Sequence, residues 1–167
     1  MRFNVKELYG KTVFADANAM IYYLEGLSNE ISTQVIESAS REIARIKLLT
    51  TTRVIDEVLF KIILIRGKAR YGLEAKVIDR LKRDTAKVRS LAGDVRKVMQ
   101  FLDCLNITIT EVSLKDLYAI PEIMMEWGIF GNDALILKTM RRFNLKYLLS
   151  SDRDFDHITW IKRIDPL

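Results

Sequence analysis

The stretch Val13-Phe14-Ala15-Asp16-Ala17-Asn18 decides the fold, because an apolar run ends at an acidic residue and a helix-forming segment follows at once. This pattern is typical of a strand that passes directly into a helix. Acidic residues recur at three further junctions after predicted strands, which gives a set of four: Asp16, Glu57, Asp133 and Asp152. In an open parallel sheet, ligands bind beyond the carboxyl ends of the strands. We therefore expect the four acids to converge at that edge of the sheet.

Strand and helix patterns alternate along the chain, which favours an α/β fold with a mainly parallel sheet. The patterns predict five strands, at 11–15, 46–51, 106–112, 146–150 and 158–164. They predict helices at 17–24, from 28 or 29 to 45, and at 133–142, and a further helix after the second strand with a buried stripe of Val54, Val58, Ile62 and Ile65. Ser113 and Asp116 resemble a capping box, and we expect Pro121 to shorten or kink the helix that follows. Asn132 is the predicted cap of the helix that carries Asp133.

A long basic segment at about 67–104 lies within what we predict to be a single domain of residues 1–167. Glycines near its start predict a break, and apolar residues at every third or fourth position then predict two amphipathic helices. Residues 66–97 contain eleven Lys or Arg and four Asp or Glu, so their net charge is 11 − 4 = +7, above the +5 of the whole chain. The segment is either an arm that holds RNA phosphates or a solvated face, and its apolar stripe is a candidate dimer contact. The phosphate contacts of such an arm would be Lys76, Arg80, Lys82, Arg83 and Lys87.

The composition fits an ordinary globular domain, with 167 residues of which 49% are hydrophobic. Cys104 is the only cysteine. It cannot form an intrachain disulfide, and we expect it to be a buried structural thiol in a protein of the reducing cytoplasm. The most apolar segment, 58–65, is short and contains Lys61, so we predict no membrane span. Residues 1–7 begin no sustained apolar run, so we predict no secretory leader.

Each acid taken alone has a structural explanation as well as a chemical one. Asp16 and Asp133 stand where a helix begins, and a carboxylate there is stabilised by capping and by the helix dipole. Either Glu57 or its neighbour Asp56 is the exposed acid of its helix. Asp152 belongs to a turn with Asp154, where local hydrogen bonds are common. Together, however, converging carboxylates repel one another and need a compensating cation, for which Mg²⁺ or Mn²⁺ has the right preference for oxygen ligands.

In the order and spacing of these pieces, the sequence resembles the PIN-domain family of metal-dependent nucleases, particularly the VapC-type toxins and their archaeal relatives. The resemblance covers nearly the whole chain and rests on Asp16-Ala17-Asn18, Glu57, Asn132-Asp133-Ala134-Leu135-Ile136-Leu137 and Ser150-Ser151-Asp152-Arg153-Asp154-Phe155. It implies a three-layer α/β/α fold and a cytoplasmic endoribonuclease with Asp16, Glu57, Asp133 and Asp152 as its acidic quartet. It places Asn18 and Ser150 beside that quartet and Asp154 at a more variable position. The segment between Glu57 and Asp133 is longer than in compact toxins.

Other functions remain open from the sequence. A catalytically silent module that keeps the fold and binds RNA or docks a protein is the alternative to a nuclease. A phosphatase of the haloacid dehalogenase class is disfavoured because Asn18 stands where a second Asp is expected, and no Gly-rich turn of the dinucleotide-binding type follows the first strand. RNA, an antitoxin protein and a second copy of the chain are the candidate partners.

Overall fold

The protein is described here by a computed structural model that covers residues 4–167. Its centre is a five-stranded sheet with the strand order β3-β2-β1-β4-β5, and every neighbouring pair is parallel. The strands are β1 (Thr12–Ala15), β2 (Lys47–Thr51), β3 (Ile107–Thr110), β4 (Tyr147–Leu149) and β5 (Lys162–Ile164). Helices flank the sheet, which confirms the predicted three-layer α/β/α fold.

The helices fall into three groups along the chain. The first three are α1 (Ala17–Leu24), α2 (Glu30–Ser38) and α3 (Thr52–Tyr71). The basic segment contributes α4 (Val77–Lys82), α5 (Thr85–Ser90) and α6 (Ala92–Asp103). The last three are α7 (Leu114–Tyr118), α8 (Ile120–Trp127) and α9 (Gly131–Arg142), and a short 3-10 helix, Arg153–His157, follows β4.

Side-chain caps explain why several strands pass abruptly into helices. Asp16 accepts a hydrogen bond from the Ala17 backbone N–H at the start of α1, and Thr51 accepts one from the Val54 N–H at the start of α3. These short junctions leave the amino ends of α1 and α3 beside the carboxyl ends of β1 and β2. The strand order therefore brings Asp16 and the first turns of α3 to one edge of the sheet.

The predicted capping box is confirmed, because Ser113 accepts from the Asp116 N–H while the Asp116 carboxylate accepts from the Ser113 N–H. Pro121 stands in the first turn of α8, where a missing N–H costs no helical hydrogen bond. The chain thus forms two short helices here, α7 and α8.

Three predicted element boundaries are wrong. Helix α2 ends at Ser38, seven residues before the predicted end at 45, because the chain must turn there to enter β2 and Ala44 adopts a left-handed φ of 46°. Only Lys162–Ile164 of the predicted strand 158–164 pairs with β4. The basic segment forms three helices where two were expected.

Gly67 does not break α3, which runs on to a left-handed Gly72. A Cβ at Gly67 would lie 3.1 Å from Cδ1 of Leu81, so the glycine lets α4 pack closely on α3. This contact belongs to a second small core in which Leu73, Val77, Leu81 and Leu91 are buried. The apolar stripe of the basic segment is thus used inside the chain, and these residues are not free to form a dimer contact.

Cys104 is exposed, so the prediction of a buried thiol is wrong. It ends α6 at the surface, and the neighbouring Leu102 and Leu105 fill the core in its place. Within residues 4–167, no helix has the length and apolar character needed to cross a lipid bilayer.

Candidate metal centre

Asp16 is the most buried acid of the set and is held by three donors. Its Oδ1 accepts from the Ala17 N–H at 2.6 Å, and its Oδ2 accepts from the Ser150 hydroxyl at 2.7 Å and from Asn18 Nδ2 at 2.8 Å. Burial raises the pKa of Asp16, and the hydrogen bonds from Ser150 and Ala17 oppose that rise. The carboxylate is therefore fixed in orientation at the carboxyl end of β1.

Asn18 and Ser150 connect the end of β1 to the loop after β4. The Asn18 Oδ1 accepts from the Ser151 N–H at 3.0 Å, and the Ser150 hydroxyl oxygen accepts from the Asp152 N–H at 3.1 Å. Asp152 in turn caps the 3-10 helix by accepting from the Asp154 N–H at 2.8 Å. These hydrogen bonds fix the position of Asp152 relative to the end of β1.

Glu57 lies in the second turn of α3 and has a different partner on each oxygen. Lys61 Nζ is 2.6 Å from Oε1, and Asn132 Nδ2 donates to Oε2 at 3.0 Å. The neighbouring Asp56 has a side chain that is 71% exposed, and it pairs with Arg53 at 3.0 Å. Of the two acids left open by the sequence, Glu57 faces the other acids and Asp56 faces solvent.

Asp133 lies in the first turn of α9, close enough to the other acids for their charges to act on it. Burial and the negative charges of Asp152, Asp16, Asp154 and Glu57 raise the pKa of Asp133 from its ordinary 3.8 to about 7. Asp16, Glu57 and Asp152 thus all lie within electrostatic range of Asp133. Asp154 also acts on Asp133, but its side chain is exposed, which places it at the rim.

Asn132 does not cap α9 as predicted. The helix begins at Gly131, its N-cap is Phe130, and no side chain caps it. The Asn132 amide instead reaches Glu57, and its own Oδ1 is buried without a hydrogen-bond partner. A buried unsatisfied polar atom costs about 1–3 kcal/mol, so this arrangement works against stability.

The chemistry of these side chains fits a hard divalent cation. The charges of Asp16, Glu57 and Asp152 act on Asp133, and among the described residues Lys61 is the cation that pairs directly with one of these acids. Across residues 4–167, no three His, Cys, Asp or Glu side chains lie close enough to form a ready-made metal cluster. Mg²⁺ typically takes only one or two carboxylates directly and keeps several waters, so a more open arrangement of acids also fits it.

Two contacts of Glu57 at this edge were not predicted from the sequence. Lys61 had a detectable signal, because it follows Glu57 by four residues and such pairs meet on a helix. The contact between Asn132 and Glu57 had none, since the residues are 75 positions apart. Helix packing alone brings them together.

The basic residues singled out in the sequence lie away from the acids. Lys76, Arg80, Lys82 and Arg83 are exposed on and around α4, whereas Lys87 pairs with Asp84 at 3.1 Å and lies over the Tyr71 ring. Helix α4 packs against α3 at Gly67, ten residues beyond Glu57, or roughly 15 Å along the helix axis. The basic surface therefore lies along α3 from the acids and does not share their edge of the sheet.

The sheet is all-parallel, and acidic side chains lie at the carboxyl ends of its strands. These features define the class of this protein as α/β with a carboxylate site at the strand edge. A family model for the PIN domain matches residues 13–161, and the chain belongs to that family. The resemblance found in the sequence is thereby confirmed.

Solved structures with the same fold include toxin–antitoxin proteins. A toxin–antitoxin complex from Klebsiella pneumoniae is 16% identical with a TM-score of 0.52, and the match covers 93% of this chain and 98% of that one. VapBC2 from Rickettsia felis, bound to a DNA fragment from its promoter, is 15% identical with a TM-score of 0.54, covering 92% and 98%. A comparison with curated protein sequences found no match.

Proposed function

We propose that this PIN-domain protein is an endoribonuclease that hydrolyses RNA phosphodiester bonds with Mg²⁺ or Mn²⁺ bound at its acidic edge. The observation that carries the proposal is the environment of Asp133, where burial and four neighbouring negative charges raise the carboxyl pKa to about 7. Such crowding of like charges is costly unless a cation compensates it. Strongly shifted pKa values caused by close like charges are typical of functional sites, although such repulsion lowers the stability of the fold.

The roles of the residues follow from their contacts. Asp16, Glu57, Asp133 and Asp152 would hold the metal. Asn18 and Ser150 fix the orientation of Asp16, and Asp154 adds negative charge at the rim. A bound Mg²⁺ or Mn²⁺ would supply an activated water and would neutralise charge that develops on the phosphate.

The charge distribution supports a polyanionic substrate. The acids would repel a phosphate backbone in the absence of metal, whereas the +7 of residues 66–97 attracts it without sequence specificity. Helix α4 packs against α3 roughly 15 Å from Glu57 along the helix axis, so its exposed basic residues would hold a part of the RNA away from the cut. This separation favours a single strand that is long enough to span both regions.

The proposal includes a protein partner. The similar structure from Klebsiella pneumoniae is a toxin–antitoxin complex, and the one from Rickettsia felis is VapBC2 bound to its promoter DNA, which supports an antitoxin-like protein as a partner of this chain. A homodimer stays a candidate arrangement, although the buried residues of the apolar stripe in the basic segment do not provide its interface.

The decisive experiment compares cleavage of mixed structured and single-stranded RNAs in Mg²⁺, in Mn²⁺ and in chelator, with single-stranded DNA of the same sequence alongside. We expect cleavage of RNA with either metal and none in chelator. A protein that binds these RNAs but cuts none of them in any metal would be the catalytically silent module instead. Calorimetric titration with Mn²⁺ separates the two, since only the nuclease needs the metal.

A further inference from the structure

Asn132 joins the helix that carries Glu57 to the helix that carries Asp133. Its Nδ2 donates to Oε2 of Glu57 at 3.0 Å, and Asn132 is the residue directly before Asp133 in the first turn of α9. The helix does not need this side chain for its start, because α9 begins at Gly131 after an N-cap residue, Phe130, that makes no side-chain cap. Helix capping therefore does not explain why Asn132 contacts Glu57.

The Oδ1 atom of the Asn132 amide indicates that the contact with Glu57 determines the orientation of the side chain. Its Oδ1 is buried and has no hydrogen-bond partner. Rotating the amide by half a turn would place Oδ1 against Oε2 of Glu57, two acceptors with no proton between them. A leucine has the same branched shape and would leave no unpaired oxygen. The chain thus carries an unfavourable acceptor at this position together with the donor that reaches Glu57.

The second partner of Glu57 is a weaker restraint. Lys61 lies on the same helix as Glu57, and its side chain is 47% exposed. An exposed pair four residues apart on a helix holds its geometry only loosely. Among the described contacts of the Glu57 carboxylate, the one with Asn132 is the one that reaches another element of the fold.

We propose that Asn132 is a positioning residue, which ties the Glu57 carboxylate to the first turn of α9 and thereby sets its separation from Asp133. The inference rests on the proposed function, in which these two carboxylates hold the divalent cation. Asn132 itself does not touch the substrate. It acts through Glu57, in the way that partners of metal ligands commonly orient them.

The test compares Asn132→Leu and Asn132→Ala with the parent protein by calorimetric titration of Mn²⁺, thermal unfolding without metal, and RNA cleavage over a range of Mn²⁺ concentrations. The control is Gln34→Leu, which removes another amide that donates to a carboxylate, Glu30 at 3.1 Å, on the exposed face of α2. The alanine variant keeps the test valid if the leucine does not fit, because it removes the same donor without adding bulk.

We expect Mn²⁺ affinity to fall about 10- to 100-fold in both Asn132 variants, the range found when partners of metal ligands are removed. The melting temperature of Asn132→Leu should stay the same or rise, since the unpaired Oδ1 is gone. Cleavage should recover as Mn²⁺ approaches saturation, and Gln34→Leu should match the parent. If the role of Asn132 were only structural, its replacement would lower stability and leave the metal affinity of the folded protein unchanged.

The inference is overturned if both Asn132 variants fold and bind Mn²⁺ as tightly as the parent. Failure of the proposed function gives a different result, because the parent protein itself would then bind no Mn²⁺ and cut no RNA. In that case the positioning role falls with the metal site that it serves.

Discussion

The hydroxyl of Ser150 donates to Oδ2 of Asp16 at 2.7 Å across 134 positions of sequence. Ser150 follows β4, Asp16 follows β1, and the two strands are neighbours in the sheet. Both residues are almost fully buried, with exposed fractions of 0% and 6%. The bond therefore fixes the deepest carboxylate of the acidic edge from the adjacent strand.

The first prediction concerns this bond. Ser150→Ala should lower the free energy of unfolding by about 1.5–3 kcal/mol, the usual contribution of a hydrogen bond to a charged group. Urea unfolding monitored by circular dichroism measures the change. Ser151→Ala is the matched control, because the Ser151 side chain makes no hydrogen bond among the described contacts, and it should stay within about 0.5 kcal/mol of the parent. The substitution also removes the hydrogen bond from the Asp152 N–H to the hydroxyl, so equal stability of the two variants would show that the contacts of the Ser150 hydroxyl are together not stabilising.

The second prediction separates two adjacent acids. Glu57→Gln should lower Mn²⁺ affinity and RNA cleavage at least tenfold, since it removes a charge from the proposed metal site. Asp56→Asn should change neither, because Asp56 faces solvent and pairs with Arg53. The two substitutions change the same chemistry one residue apart on α3, so general effects on the helix cancel. Similar losses in both variants would contradict the assignment of Glu57.

The third prediction is that Asp133→Asn nearly abolishes RNA cleavage and preserves the fold. The substitution keeps the size of the side chain and removes the charge that would bind metal. Single-turnover cleavage at saturating Mg²⁺ and Mn²⁺ measures the loss, and circular dichroism checks the fold. A variant that cuts as fast as the parent would remove Asp133 from the mechanism.

Asp133→Asn should also change the pH dependence of stability. In the parent, the folded pKa of Asp133 is about 7 against an ordinary 3.8, so the folded state holds more protons between these values and stability falls as pH rises through them. Asp133→Asn lacks this loss. Without metal it should be more stable than the parent at pH 8, and the difference should vanish near pH 4.

Solvent reaches part of Asp133 and screens its repulsion, so we expect a gain of only about 1–2 kcal/mol at pH 8, or roughly 3–6 °C in melting temperature. Thermal unfolding in chelator at several pH values provides the measurement. Saturating Mn²⁺ should reverse the order of the two proteins, because only the parent would then gain stability from binding. A parent whose stability is flat from pH 4 to 8 would contradict the crowding of charges.

The fourth prediction addresses the basic segment. Replacing Lys76, Arg80 and Arg83 together with Gln should weaken RNA binding and reduce the salt slope by about 0.7 per lost contact with a single strand. The control removes the same three charges at Lys6, Lys11 and Lys47, which are exposed near the amino ends of β1 and β2, opposite the acids. Binding measured by fluorescence anisotropy across salt concentrations should change less in the control. Equal effects would mean that only net charge matters.

Sequence patterns predicted the first strand and the capping box well because both depend on local chemistry. The apolar run before Asp16 and the capping pair of Ser113 and Asp116 act within a few residues, and the structure has them as expected. Glu57 and Asp56 were not separable from sequence, since the direction of each side chain depends on how α3 packs.

Long-range packing explains where sequence reasoning was wrong. Gly67 reads as a helix break, yet it is the point where Leu81 comes closest to α3. Asn132 reads as a helix cap, yet its amide is used by a carboxylate 75 positions away. In both cases a residue with a strong local preference serves a contact that only the folded chain creates.

The strand order has a consequence for when this protein acquires its site during synthesis. Strand β1 lies at the centre of the sheet and supplies Asp16 early, but its neighbour β4 and the following Asp152 come more than 130 residues later. A nascent chain that stops before β4 has neither Ser150 to hold Asp16 nor the last of the four acids. Under the proposed function, the chain would therefore become able to cut RNA only near the end of its synthesis.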